Sequence, residues 1–335
     1  MHPALQGLLM ILVAVGGCIG YYYLSNRFLD RVLFPPRGAN AGRNINRANL
    51  IRPWLFLFPA LAVLGLYLAY PVVETLRLSL TERLPGGGSQ LVGLENYARM
   101  AAEPKFREAL GNNMLWLIVV PTLSTAFGLL AAQLTDRISW GNLAKLLIFM
   151  PMAISFVGAA VIWKLVYDAR PVGQEQIGTL NALYLALGGD APQTWLTLPF
   201  WNNFLLMAVL IWIQTGFAMV ILSAALRGIP EETVEAAIID GANPFQIFFR
   251  IKVPQIRGTI VVVWTNITIV VLKVFDIVFA MTNGQWETQV LANYMYDKLF
   301  RAGDWGVGSA GAMVIMLLVT PILVWNVWNA RREGR

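Results

Sequence analysis

The sequence has one cysteine and one histidine in 335 residues. Cys18 alone cannot build a disulfide framework or a thiolate metal cluster. With His2 as the sole histidine, no histidine-based catalytic or metal centre can be assembled either. Charge is scarce: Asp, Glu, Lys and Arg make up 13% of the chain, about half the share of a typical soluble domain. No G-x-x-x-x-G-K-[ST] occurs, and Gly86-Gly87-Gly88 lacks the lysine and reads as a turn. The chain therefore cannot cradle ATP with a P-loop. There is no Gly-x-Ser-x-Gly elbow, so an integral-membrane enzyme lacks both its nucleophile and its metal. The net charge of +6 comes without an Arg/Lys-rich arm interleaved with aromatics. Nucleic acid is not an expected partner.

What is present is apolar surface, 57% hydrophobic residues with a mean hydropathy of +0.59. That excess must be covered by lipid. Apolar runs over residues 5–24, 54–73, 114–134, 146–166, 200–226, 259–281 and 307–328 are each about long enough to span a bilayer. The reading is all-α, a polytopic protein of about seven transmembrane helices. The first run lacks a basic flank and a small-residue cleavage site, and Tyr21-Tyr22-Tyr23 suits an interfacial belt. It is expected to be a retained helix, with a cleaved signal peptide as the alternative.

Between the spans lie a basic linker over 26–53, a mixed segment over 74–113, an irregular segment over 167–199 and an outer loop over 282–306. A basic tail over 330–335 follows the last span. The linker carries Arg27, Arg31, Arg37, Arg43, Arg47 and Arg52 against Asp30 alone. With residues 229–254 placed inside, the linker arginines join Arg137, Lys145, Arg227, Arg250, Lys252, Arg257 and the basic tail. They outnumber the outer cations, which fits the positive-inside bias with the N-terminus outside. No internal repeat is visible, which counts against an inverted-repeat secondary transporter.

Residues 229–254 are the long polar and amphipathic stretch of the second half. Pro230 suits a first helical position, with Glu231 and Glu232 in the turn that the helix dipole favours for acids. Val234, Ala237 and Ile238 share a face, and Gly241 is a fitting stop. Asn243 offers a second N-cap and Pro244 a second start. Phe245, Phe248, Phe249 and Lys252 share the next face, and Pro254 is expected to end it. Two short helices with a tight break would form a knob suited to a groove on a partner protein.

Glu235-Ala236-Ala237, three residues, Gly241, nine residues, Ile251, one residue and Val253-Pro254 resemble the EAA loop of permease subunits of bacterial ABC importers. Val253 stands where that family usually has Leu. Val92 to Tyr97 and Leu272 to Gly284 resemble further phrases of sugar permeases, although Gln285-Trp286 replaces the usual Gly-Gly-Pro. Val290 to Asn293 and the Val253-Pro254-Gln255 join most resemble the alpha-glucoside branch. The resemblance implies a type I importer fold: a first helix and linker over 1–53, then a six-helix core over 54–335 with its cytoplasmic loop at 229–254. It implies a non-enzymatic pore half in the bacterial cytoplasmic membrane, working by alternating access. Its partners would be a second permease, an ATPase pair that binds the ATP and Mg²⁺, an extracellular solute-binding protein and a sugar. No cofactor is expected in this chain. Glu235 and Asp240 would anchor the knob, Ala236 and Ala237 would allow close approach, Gly241 would bend it, and Phe245 and Phe248 would fill the ATPase groove.

Two patches are candidates for the substrate path. Lys273 and Asp276 fall three apart inside the sixth apolar run and so on one helix face. A charge at the bilayer centre costs roughly 2.5–3.5 kcal/mol, so they mark a polar wall or a structural ion pair. As an ion-coupled pair they would be the central feature of the alternative, a carrier or channel working without ATP. Trp212, Gln214, Thr215, Gly216 and Met219 form the second patch, which the resemblance to maltose-type permeases implies lies near sugar. Trp264, Phe275 and Phe279 could stack on sugar rings, or could simply pack.

Overall fold

The computed structural model describes residues 2–38, 40–84 and 86–333. The chain forms two compact units, Met1–Glu74 and Thr75–Arg335.

The first unit holds α1 (Pro3–Phe28), which widens into a π turn at Leu29–Leu33, and α2 (Ala41–Leu64). A second π turn, Gly65–Ala69, carries α2 into α3 (Tyr70–Ser79). Much of the basic linker is thus helical, since α2 runs through Pro53 and Pro59. Pro59 has no N–H to offer the carbonyl one turn earlier. That carbonyl, on Leu55, accepts instead from the Tyr21 hydroxyl at 2.9 Å. Asp30, the linker's lone acid, pairs with Arg52 at 2.7 Å. The most apolar windows of these two spans are 0% buried, so lipid or another chain must cover them.

The second unit opens with a hairpin of β1 (Thr81–Arg83) and β2 (Ser89–Leu91), paired antiparallel with Thr81 opposite Leu91. Gly87 and Gly88 take positive φ at its turn. α4 (Glu95–Ala102) follows, then α5 (Pro104–Thr135). The third span therefore starts well before residue 114, because Pro104 sets a first helical turn. The fourth span is broken: α6 (Gly141–Phe149), a 3-10 turn at Met150–Ala153, and α7 (Phe156–Val166) make a bend of 105°. The irregular segment contains α8 (Thr179–Ala186), too short to cross, and leads into α9 (Trp201–Arg227).

The polar stretch forms α10 (Glu231–Ile239), α11 (Pro244–Gln246), a π turn at Ile247–Lys252 and α12 (Val253–Gln255). Pro254 lies within α12 rather than ending its helix. The sixth apolar run also differs from expectation. It divides into α13 (Arg257–Leu272) and α14 (Asp276–Met281), with Lys273, Val274 and Phe275 between them. α15 (Leu291–Tyr296), a π turn at Asp297–Arg301 and α16 (Trp305–Glu333) complete the chain. Of the basic tail, Gly334 and Arg335 lie outside the described residues. Among the described residues five helices are long and apolar enough to cross a membrane, and up to seven if each bent pair is one span.

α9 is the central span, with 56% of its apolar window buried. Leu206, Met207, Leu210, Met219 and Leu222 pack with Trp116 of α5 and Ile267 of α13. The closest approach needs Gly128, where an added Cβ would meet the Cβ of Ala218 at 2.4 Å. At the opposite end from the knob, asparagine amides hold the outer loop. Asn112 donates to the carbonyls of Glu287 and Gln289, Asn202 to that of Trp286 and Asn203 to that of Glu287.

Candidate functional site

The knob is built from local rules. Pro230 is the N-cap of α10, one position earlier than expected, so Glu231 and Glu232 fill the first turn. Gly241 sits at φ +80°. Its N–H donates to the carbonyl of Ile238 at 3.0 Å, and the N–H of Ala242 donates to that of Ala237 at 2.9 Å. These two bonds are a Schellman ending, which needs a left-handed residue. Asn243 then caps α11 in a reciprocal box with Gln246, over Pro244 at the first position.

The knob buries Ile229, Ala237, Ile247 and Ile256 at its root. Its outer surface keeps Glu235, Ala236 and Asp240 exposed. Ile239 is 85% and Phe245 is 77% exposed, while Phe248 is half-buried and stacks edge-on with Phe249 at 4.9 Å. Water is a poor host for that much apolar surface. Of the expected contact residues, Ala237 faces inward and Phe248 is partly covered.

The substrate-path candidates separate. Gln214 of α9 and Asp276 at the start of α14 line one cleft of about 580 Å³, with Ser155, Phe156, Phe217 and Asn266. That volume lies within the usual range for ligand sites, about 300–1,000 Å³. Asp276 is the only charged residue in the lining. Trp212 and Thr215 instead face a second, apolar cleft of about 690 Å³ between α5, α6 and α9. The Thr215 hydroxyl donates back to the carbonyl of Ile211 at 2.7 Å. Gly216 is a packing position, since a Cβ there would meet the carbonyl oxygen of Ile148 at 2.6 Å. Met219 is fully buried.

Lys273 and Asp276 do not share a continuous helix face, because α13 has ended between them. No ion pair joins them among the described residues. Their order has a local cause: a cation suits the C-terminus of α13 and an acid the N-terminus of α14. The ion-coupled carrier thereby loses its central feature. Phe275 and Phe279 stack on each other at 4.9 Å and lie against Tyr296, and the Trp264 indole donates to Thr122 at 3.5 Å. Phe275 and Phe279 are engaged in packing, whereas Trp264 stays exposed.

One polar cluster escaped the sequence reading. Asp136, in the turn between α5 and α6, accepts from Lys145 of α6 and from Arg227 of α9 at 2.8 and 3.1 Å. The Ser223 hydroxyl donates to the same carboxylate at 3.2 Å. Burial alone would push this carboxyl up, but the Lys145 and Arg227 hydrogen bonds and charges hold it below its ordinary value. In the sequence, Lys145 and Arg227 counted only toward the inner positive charge. The usable signal was an acid between two apolar spans with Arg227 ending a third. No group of three or more His, Cys, Asp or Glu that could hold a metal occurs among the described residues.

Residues 97–335 match the family described as binding-protein-dependent transport system inner membrane component. The alpha-glucoside transport system permease protein AglF of Rhizobium meliloti (strain 1021) is 64% identical over 338 residues, covering 100% of this chain and 99% of that protein. The osmoprotective compounds uptake permease protein GgtC of Synechocystis sp. is 48% identical over 281 residues, 84% of this chain and 99% of that one. A chain in the crystal structure of a bacterial ABC transporter involved in the import of the acidic polysaccharide alginate superposes with a TM-score of 0.72. It is 20% identical and covers 86% of this chain and 98% of its own length. At that identity the likeness is one of fold.

Proposed function

The chain belongs to the family of inner-membrane components of binding-protein-dependent transport systems, and from that premise we propose that it forms one half of the pore of an ATP-driven importer of alpha-glucosides. It is a multi-pass permease subunit of an ABC importer. The observation that carries the substrate class is the 64% identity to an alpha-glucoside permease over all of this chain.

The partners are a second permease, a pair of ATPase subunits that hold ATP and Mg²⁺, and an extracellular solute-binding protein. Closure of the ATPase pair on ATP pushes the 229–254 knob, which faces the cytoplasm. Ile239, Phe245 and Phe248 enter the ATPase groove and lose their water. Glu235 and Asp240 anchor the knob by charge, Ala236 permits close approach, Ala237 packs inward at the root, and Gly241 holds the bend. The spans then rock, and the path opens outward to receive sugar from the binding protein.

Within the path, Gln214, Asn266 and Asp276 offer hydrogen-bonding groups to sugar hydroxyls, with Phe156 and Phe217 as apolar walls. A few convergent polar groups on an apolar lining is the usual build of a small-molecule site. Gly216 and Met219 support that wall by packing, Trp212 and Thr215 line the second cleft, and Lys273 lies in the break itself, lining a smaller cleft with Phe156 and Asp276.

The test is reconstitution of the full importer in proteoliposomes with labelled maltose and trehalose. Uptake should require ATP and the binding protein. Uptake that proceeds without ATP would overturn this function.

A further inference from the structure

Asp136 lies where three chain segments meet, and each contact points along a mechanical route. Ser223 and Arg227 sit one turn apart on α9 and close on one carboxylate. Arg227 is followed almost at once by Ile229, which is buried at the root of the knob. There is little slack between the joint and α10.

On the other side, Lys145 of α6 reaches both Asp136 and the Ser223 hydroxyl, the latter at 2.8 Å. The turn from α5 to α6 is tight, since a Cβ on Gly141 would fall 1.9 Å from the carbonyl oxygen of Thr135. α6 continues through the bend into α7, and this broken span supplies Met152, Ile154, Ser155 and Phe156 to the cleft that holds Gln214 and Asp276.

The joint is partly covered on one side: the Lys145 and Asp136 side chains are 16% and 20% exposed, and Ser223 is buried. Arg227 is open to water and contributes less. A carboxylate held at once by two cations and a hydroxyl is a charge-assisted network rather than a single surface pair. The joint therefore behaves as a fastening that moves as a unit.

We propose that Asp136 is a positioning residue for transport, fastening the root of the coupling knob to the broken fourth span so that displacement of the knob reshapes the cleft. This rests on the importer reading above. Without the joint, the knob still engages its ATPase, but the movement is taken up at the Arg227–Pro230 connection and does not reach α6 and α7.

The readout is sugar carried per ATP hydrolysed by the complete importer in proteoliposomes. Asp136→Asn and Lys145→Gln should leave ATP hydrolysis near the wild-type rate. Both should lower the uptake ratio by about 2- to 30-fold, the range spanned by coupling through such networks. The double variant should be no worse than the poorer single one, because both break the same joint. An unchanged ratio in assembled complexes, or additive losses, would overturn the proposal.

A second experiment covers variants that assemble poorly. In a Cys18→Ser background, Asp136→Cys with Ser223→Cys removes the joint and allows it to be remade with a short, reducible thiol cross-linker. The ratio should be low, rise on cross-linking and fall again on reduction. Failure of the cross-link to restore it would refute the fastening. Wild-type complex is measured first: if it shows no ATP-driven uptake the importer reading itself fails, whereas intact wild-type transport with an indifferent joint sinks only Asp136.

Discussion

Gly241 holds its place by backbone rather than by space. It stands at φ +80°, and a Cβ added there would meet nothing within 4 Å. The cost of a side chain is then the left-handed penalty alone, about 1–2 kcal/mol for an ordinary residue. Asparagine tolerates that region because its amide can bond locally. Gly241→Asn should therefore keep more binding-protein-stimulated ATPase activity than Gly241→Ala, and Gly241→Val should keep least. A flat series in the reconstituted importer would show that the bend is not what couples. The residue's role was readable in advance because a helix stop followed by an N-cap and a proline leaves few backbone choices.

Between elements, glycine acts by proximity instead. A Cβ on Gly216 would lie 2.6 Å from the carbonyl oxygen of Ile148, which is main chain and cannot swing aside. Gly216→Ala should destabilise the purified complex by about 1–3 kcal/mol through overpacking of α9 against the fourth span. Gly111, in the exposed part of α5, has nothing within 4 Å. Gly111→Ala should raise stability by about 0.5–1 kcal/mol, as expected within a helix. Thermal unfolding of the two variants should move in opposite directions from wild type. The sequence placed Gly216 only within a candidate substrate patch. The neighbour at Ile148 makes it a packing position.

For the molecule as a whole, the cleft lining carries the Asp276 carboxylate, and Lys273 lines a smaller adjoining cleft that shares Phe156, Val270 and Asp276 with it. The fold it shares with the alginate transporter chain does not bring that transporter's acidic cargo with it. Neutral maltose and trehalose should compete with labelled alpha-glucoside for uptake, and glucuronides of the same size should not. Competition by the glucuronide would mean that the lining of the Gln214–Asp276 cleft does not select the cargo. The exposed apolar windows of α1 and α2 bear on assembly as well. They call for cover by lipid or a second chain, as expected of a multi-pass membrane component.

By itself the sequence determined the all-α class, the approximate spans, the two-helix knob and the family resemblance. Each of these depends on neighbours a few residues apart: apolar run length, proline and glycine geometry, cap chemistry and fixed motif spacing. The tertiary structure decided which side chains meet. Along α9, successive residues point about 100° apart, so Trp212 and Thr215 share one cleft while Gln214 lines another and Gly216 meets the main chain of Ile148. Gln214 and Asp276 line one cleft, and Asp136 meets Lys145, Ser223 and Arg227, only because packing fixes the rotation and height of each helix against the next. That register is a property of the whole bundle, and no local window of the chain encodes it.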